Sequence, residues 1–72
     1  MILKSTTLST SVTIENVPSY ANTIPYIVAR FDDQTKKYWF YGAWTNKEEA
    51  EHVVKKLGDC ALIFYNEKSE NP

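Results

Sequence analysis

The sequence predicts a single α+β domain of (β)ββαβ order, a small antiparallel sheet of three to four strands with one helix packed on one face. Three observations carry that expectation. Residues 46–57 hold a helical apolar stripe behind a capping pattern. Two runs rich in aromatic and β-branched residues, 26–31 and 38–44, flank a polar connection. A continuously apolar run, 60–65, follows Gly58. A chain of 72 residues has room for one hydrophobic core and not two. It divides into an N-terminal strand with a Pro-containing linker over 1–25, a compact ββαβ core over 26–65 and a polar tail over 66–72.

At the N-terminus every position from 5 to 13 except Leu8 and Val12 is Ser or Thr. Leu8, Val12 and Ile14 share one parity, while Ser9, Ser11, Thr13 and Glu15 share the other. Alternation at period two in β-branched residues reads as a half-buried strand, the alternative being a flexible tail. Pro18 and Pro25 then punctuate residues 16–25. Each fixes its own φ and pushes its predecessor towards extended geometry, so this stretch reads as a linker.

The strand at 26–31 puts Ile27, Ala29 and Phe31 on one face and Tyr26, Val28 and Arg30 on the other. The polar connection 32–37 makes the next strand, 38–44, its antiparallel partner. That strand carries five aromatics in seven residues. Parity places Tyr38, Phe40 and Trp44 with Gly42 on one face, and Trp39 and Tyr41 with Ala43 on the other.

The helix has two possible starts, Thr45 as N-cap with Glu48, or Asn46 as N-cap with Glu49. Ala50, Val53, Val54 and Leu57 form its apolar stripe at i, i+3, i+4 and i+7. Glu48 and Glu49 suit the positive helix start, and Lys55 and Lys56 its negative end. Gly58 supplies the left-handed C-terminal position. A crossover through this helix sets the last strand, 60–65, beside strand 26–31. The expected order is 60–65, 26–31, 38–44, with the N-terminal strand on an edge.

Chemistry is sparse. Eight basic against nine acidic side chains give a net charge of −1, which excludes a generic polyanion binder. The single cysteine, Cys60, leaves no internal disulfide. The N-terminus has no apolar signal core, and no run approaches the roughly 18 apolar residues of a membrane helix. A bacterial cytoplasmic location without membrane attachment is expected. His52 reads as a solvated helix-surface residue, with no second His or Cys to join it and Cys60 in a zinc set. Asp32 and Asp33 read as hairpin solubility, and the glycines, Gly42 and Gly58 alone, form no phosphate loop. No catalytic residue, metal or cofactor is expected, and the chain reads as a non-enzyme.

The aromatic surplus carries the functional reading. One helix covers a strip about 10 Å wide, whereas three or four strands at about 4.8 Å spacing offer at least that width on two faces. Apolar surface left over marks interaction sites, and aromatics with Arg dominate interface hot spots. The candidate surface comprises Trp39, Tyr41, Trp44, Tyr26 and Arg30 with Leu8, Val12 and Ile14 of the N-terminal strand. Three uses compete: a homodimer built through the sheet and the N-terminal strand, a complex with a different host or phage protein, and stacking of single-stranded nucleic acid aided by Arg30, Lys36 and Lys37. A protein-interaction module that self-associates is the leading expectation. Nucleic acid is the alternative.

The segments YIVARF, YWFYGAW, EEAEHVVKKLG and ALIFY resemble small proteins of phages and prophages of Gram-positive bacteria, Bacillus included. The shared pattern is a hydrophobic strand, an aromatic W-x-Y-G strand, a helix with E-x-A and a final apolar strand. It covers residues 26–65 and is structural, so no functional residue is carried over. The resemblance implies a bacterial cytosol and a small accessory or host-directed binding protein.

Overall fold

The computed structural model describes residues 2–5 and 11–66. The elements are β1 (Ile2–Ser5), β2 (Ser11–Glu15), a 3-10 turn η1 (Ser19–Thr23), β3 (Tyr26–Asp32), β4 (Lys37–Trp44), α1 (Lys47–Leu57) and β5 (Ala61–Tyr65). The class is α+β as expected, with one helix, but the sheet has five strands rather than three or four and closes into a barrel in the order β1-β2-β4-β3-β5.

The β5-β3-β4 meander forms as its apolar patterns predict, antiparallel throughout. The N-terminal region departs from expectation. It is a hairpin of two strands, Leu3 facing Val12, and it does not lie on an edge. β2 pairs β4 in parallel through Ile14–Tyr38 and Glu15–Trp39. β1 pairs β5 through Lys4–Tyr65 and Ser5–Phe64. Both open edges of the meander are thereby capped, which removes the unpaired backbone groups that make edges adhesive.

Closure creates two cores. Inside the barrel lie Leu3, Ile14, Ile27, Ala29 and Phe64, with Val12, Tyr38, Phe40, Ala43 and Leu62 packed against them. Outside, α1 lays Ala50, Val53, Val54 and Leu57 on Val28, Ala61, Ile63, Tyr26 and Trp44. β3 is therefore covered on both faces, and Ile27, Val28 and Ala29 are all fully buried. Ala50 and Ala61 keep the helix axis close to the strands. Each fully buried Phe64, Ile14, Ile27 and Val28 contributes about 1.5–3 kcal/mol over leaving it in water. The helix starts in the second of the two possible registers: Asn46 Oδ1 accepts from the backbone N–H of Glu48 at 2.8 Å and of Glu49 at 3.3 Å. Gly58 ends it at φ 93°, ψ −161°, a region that only glycine occupies without strain.

A bulge in β4 reorganises its faces. Val28 pairs Gly42 and Ala29 pairs Phe40, which leaves Tyr41 as the extra residue. Simple alternation is broken there. Tyr38, Phe40 and Ala43 point inward, and Trp44 joins the helix-side cluster. Ala43 and Trp44 thus exchange the faces that parity assigns them. Trp44 folds back over Gly42, where a Cβ would lie 2.5 Å from its Cη2 and 2.8 Å from its Cζ3.

The stretch 16–25 is not a loose linker. After Asn16 turns at φ 61°, η1 buries Ala21 completely and sets Tyr20 edge-on to Phe40 at 6.3 Å. Asn66, assigned by composition to the polar tail, is buried and fastens this segment. Its Nδ2 donates to the carbonyls of Asn22 at 2.9 Å, Ala21 at 3.3 Å and Ile24 at 3.5 Å. Its backbone N–H donates to Pro25 O at 2.7 Å.

Asn66→Asp should cost about 2–3 kcal/mol at pH 7, since it removes a buried donor and sets a carboxylate against carbonyl oxygens. Ionisation of the new carboxyl is disfavoured in the fold, which raises its pKa, so stability should recover as pH falls through that value. Urea denaturation at neutral and acid pH reads both effects. Gly42→Ala should cost about 1–3 kcal/mol by displacing the Trp44 indole, seen in urea melts with a change in tryptophan emission.

Candidate interaction surface

The part of the outer wall that α1 leaves uncovered is the candidate site. A lateral row crosses it in register: Ala61 on β5, Arg30 on β3, Trp39 on β4 and Glu15 on β2. Ala61 is buried beneath the helix, while the other three face out. Trp39 is 40% exposed and Tyr41 48%. The bulge sets Tyr41 beside this row, its ring stacked on Trp44 at 6.5 Å and 16°. An open cleft of about 360 Å³ lies here, lined by Arg30, Phe31, Asp32, Trp39, Phe40 and Tyr41.

Trp39 is held in place by the β3–β4 turn. Its Nε1 donates to Thr35 Oγ1 at 3.1 Å, and Thr35 Oγ1 donates in turn to Asp32 Oδ2 at 2.8 Å. Asp32 Oδ1 also accepts from the Gln34 backbone N–H at 3.3 Å. The Thr35 hydroxyl, helped by backbone N–H groups of the turn, holds the Asp32 carboxyl below its ordinary value of 3.8 despite some desolvation. The indole therefore presents an apolar face with its polar atom already satisfied.

Charge around the patch is mostly spent within the chain. Lys36 Nζ meets Asp33 at 2.8 Å, and Lys37 Nζ approaches Glu15 at 4.0 Å. Arg30 is exposed and makes no ion pair among the described residues.

Of the residues expected from sequence, the structure brings Trp39, Tyr41 and Arg30 together on the surface. Trp44 and Tyr26 are half-buried in the helix-side cluster, with Tyr26 against Tyr65 at 5.6 Å. Ile14 is buried in the barrel core and Val12 packs against that core. These two consequently offer no outward face, because closure uses their apolar side internally. Leu8 lies outside the described residues. Sequence reasoning missed Glu15 as a neighbour of Trp39, since a parallel pairing leaves no local signal. It also missed Thr35, although Asp three residues before Thr in a turn is a known side-chain bracing pattern.

Elsewhere chemistry is thin. His52 is exposed on α1, and the half-buried Cys60 thiol donates a weak hydrogen bond to the Leu57 carbonyl at 3.8 Å. Among the described residues no group of three His, Cys, Asp or Glu side chains is placed to hold a metal, and no helix is long and apolar enough to cross a membrane. Neither a protein-family model, nor a curated protein, nor a solved structure matches the chain.

The pH dependence of the brace follows from Asp32. A carboxyl whose pKa is lowered on folding stabilises the fold above its ordinary pKa, and that contribution is lost as pH falls through the depressed value. Tryptophan emission should therefore be flat from neutral pH to about 4 and change below it. Thr35→Val should abolish this acid transition while leaving the circular dichroism spectrum unchanged.

Proposed function

We propose that the chain is a small non-catalytic protein-interaction module, of the phage or prophage accessory type that its sequence pattern resembles. It engages its partner through the outward patch of Arg30, Trp39 and Tyr41. The observation that carries this reading is the Trp39 indole: 40% exposed, yet fixed by Thr35 at 3.1 Å. An exposed aromatic that is already ordered loses little side-chain freedom on binding, so more of its burial appears as affinity. Arg beside Trp and Tyr is the composition of interface hot spots.

The local charge balance supports a protein over a nucleic acid. Of the cations that a single strand would use, Lys36 sits on Asp33 at 2.8 Å and Lys37 sits near Glu15 at 4.0 Å. That leaves Arg30 to meet phosphates, whereas nonspecific strand binding relies on several such contacts.

Immobilised wild-type chain should retain a protein partner, either a second copy of the chain or a protein of bacterial lysate. Trp39→Ala should lose it with unchanged circular dichroism, while Glu51→Ala on the exposed helix surface retains it. Equal capture by wild type and Trp39→Ala would refute the assignment of the patch. Titration with single-stranded DNA and RNA at two salt concentrations should show no micromolar binding. Micromolar, salt-weakened binding that is lost in Trp39→Ala would put the aromatics to work as stacking platforms instead.

A further inference from the structure

We propose that the occupant of this patch is a second copy of the same chain, packed face to face about a two-fold axis running along β4. The inference rests on the patch being a contact surface and goes further by naming what covers it. The argument is one of charge geometry. Trp39 has Arg30 as its register partner on one side and Glu15 on the other. Neighbouring strands are about 4.8 Å apart, so the patch carries opposite charges about 5 Å to the left and right of an exposed indole. Arg30 and Glu15 make no ion pair with each other, since the Trp39 strand stands between them. Arg30 makes no ion pair among the described residues, and the one ion pair of Glu15 is the long 4.0 Å approach of Lys37, so its carboxylate can still accept a second, closer cation.

A two-fold interface is self-complementary: whatever residue meets a second one is met by it in return. An axis in the interface parallel to β4 exchanges left and right and preserves position along the strand. Arg30 then lies over Glu15 of the second copy, Glu15 over Arg30 of that copy, and Trp39 and Tyr41 over their own equivalents. An axis perpendicular to β4 would instead oppose Arg30 to Arg30 and Glu15 to Glu15, two like-charge contacts that disfavour it. The favoured arrangement has an aromatic centre flanked by charge pairs, the usual anatomy of a contact. Lys37, two residues before Trp39, also approaches its equivalent. It is compensated by Glu15 at 4.0 Å and by Asp32, its register partner across β3 and β4.

Charge reversal tests the pairing. Sedimentation at about 100 μM, well above a typical stable-dimer dissociation constant, should find wild type at twice the 8.3 kDa chain mass. Arg30→Glu alone and Glu15→Arg alone should each weaken self-association by about tenfold or more, read as a shift of the monomer–dimer midpoint to higher concentration across a dilution series. Mixed in equal amounts, the two variants should recover the dimer, because two acidic groups in one chain then face two basic groups in the other. Arg30 is exposed and the Glu15 side chain is 37% exposed, and circular dichroism checks the fold of each variant. The proposal is overturned if wild type is monomeric, if either single variant keeps the wild-type midpoint, or if the mixture associates no better than the single variants. A monomeric wild type whose capture of a different protein still depends on Trp39 would overturn self-pairing and leave the interaction reading standing. A wild-type dimer that survives Trp39→Ala intact would overturn both.

Discussion

Everything in this molecule depends on barrel closure by the N-terminal hairpin. The seam is short: two register pairs join β2 to β4 and two join β1 to β5. Yet without it the inward side of the meander, Ile27, Ala29, Phe40 and Phe64, would face water, since the single helix already occupies the other side. Two register pairs hold a seam because the side chains behind them are shared. Leu3, Val12 and Ile14 fill the same interior as the meander residues, and their burial supplies the free energy that so few ladder bonds cannot. The hairpin is part of the core rather than an accessory to it.

The second constraint is the bulge at Tyr41. A regular β4 would put Trp44 on the side of Tyr38 and Phe40, giving the barrel a bulky indole that its five-stranded interior has no room for. The extra residue sends Trp44 out to meet α1, brings small Ala43 in, and leaves Tyr41 beside Trp39 on the exposed wall. The surface patch and the correct filling of the core are products of the same irregularity, and Gly42 makes room for it by leaving space under the Trp44 ring.

The sequence was informative where structure is local. The helix stripe, its cap alternatives and the apolar runs place α1, β3, β4 and β5 within a residue of where they lie, because periodicity and capping act over a few neighbouring residues. It was silent where structure is made by distant partners. Ile2, Leu3 and Lys4 are too few to announce a strand, and nothing local marks a parallel pairing between Glu15 and Trp39. Treating the Ser/Thr-rich stretch as one half-buried strand captures the alternation of Val12 and Ile14, while residues 6–10 lie outside the described ones. The bulge had a visible sign in Gly42, since glycine inside a strand pattern often marks one. Asn66 had none, because its value lies in three carbonyls more than forty residues away. Of the surface residues, Trp39, Tyr41 and Arg30 were legible as surplus aromatics and charge, while Glu15 required the barrel to bring it alongside.

The join between β1 and β5 also bears on how the chain is made. Ser5 pairs with Phe64, so the first strand of the barrel finds its neighbour only once the last has left the ribosome. The same is true of η1, which Asn66 fastens from the far side of the sequence. Contacts of such long sequence separation form late and slowly. A chain that has formed α1 and the β3–β4 hairpin but not these contacts has its inner aromatics uncovered, an aggregation-prone state that lasts until the barrel closes. A substitution that loosens the β1–β5 join would prolong that exposure, and one that tightens it would shorten it.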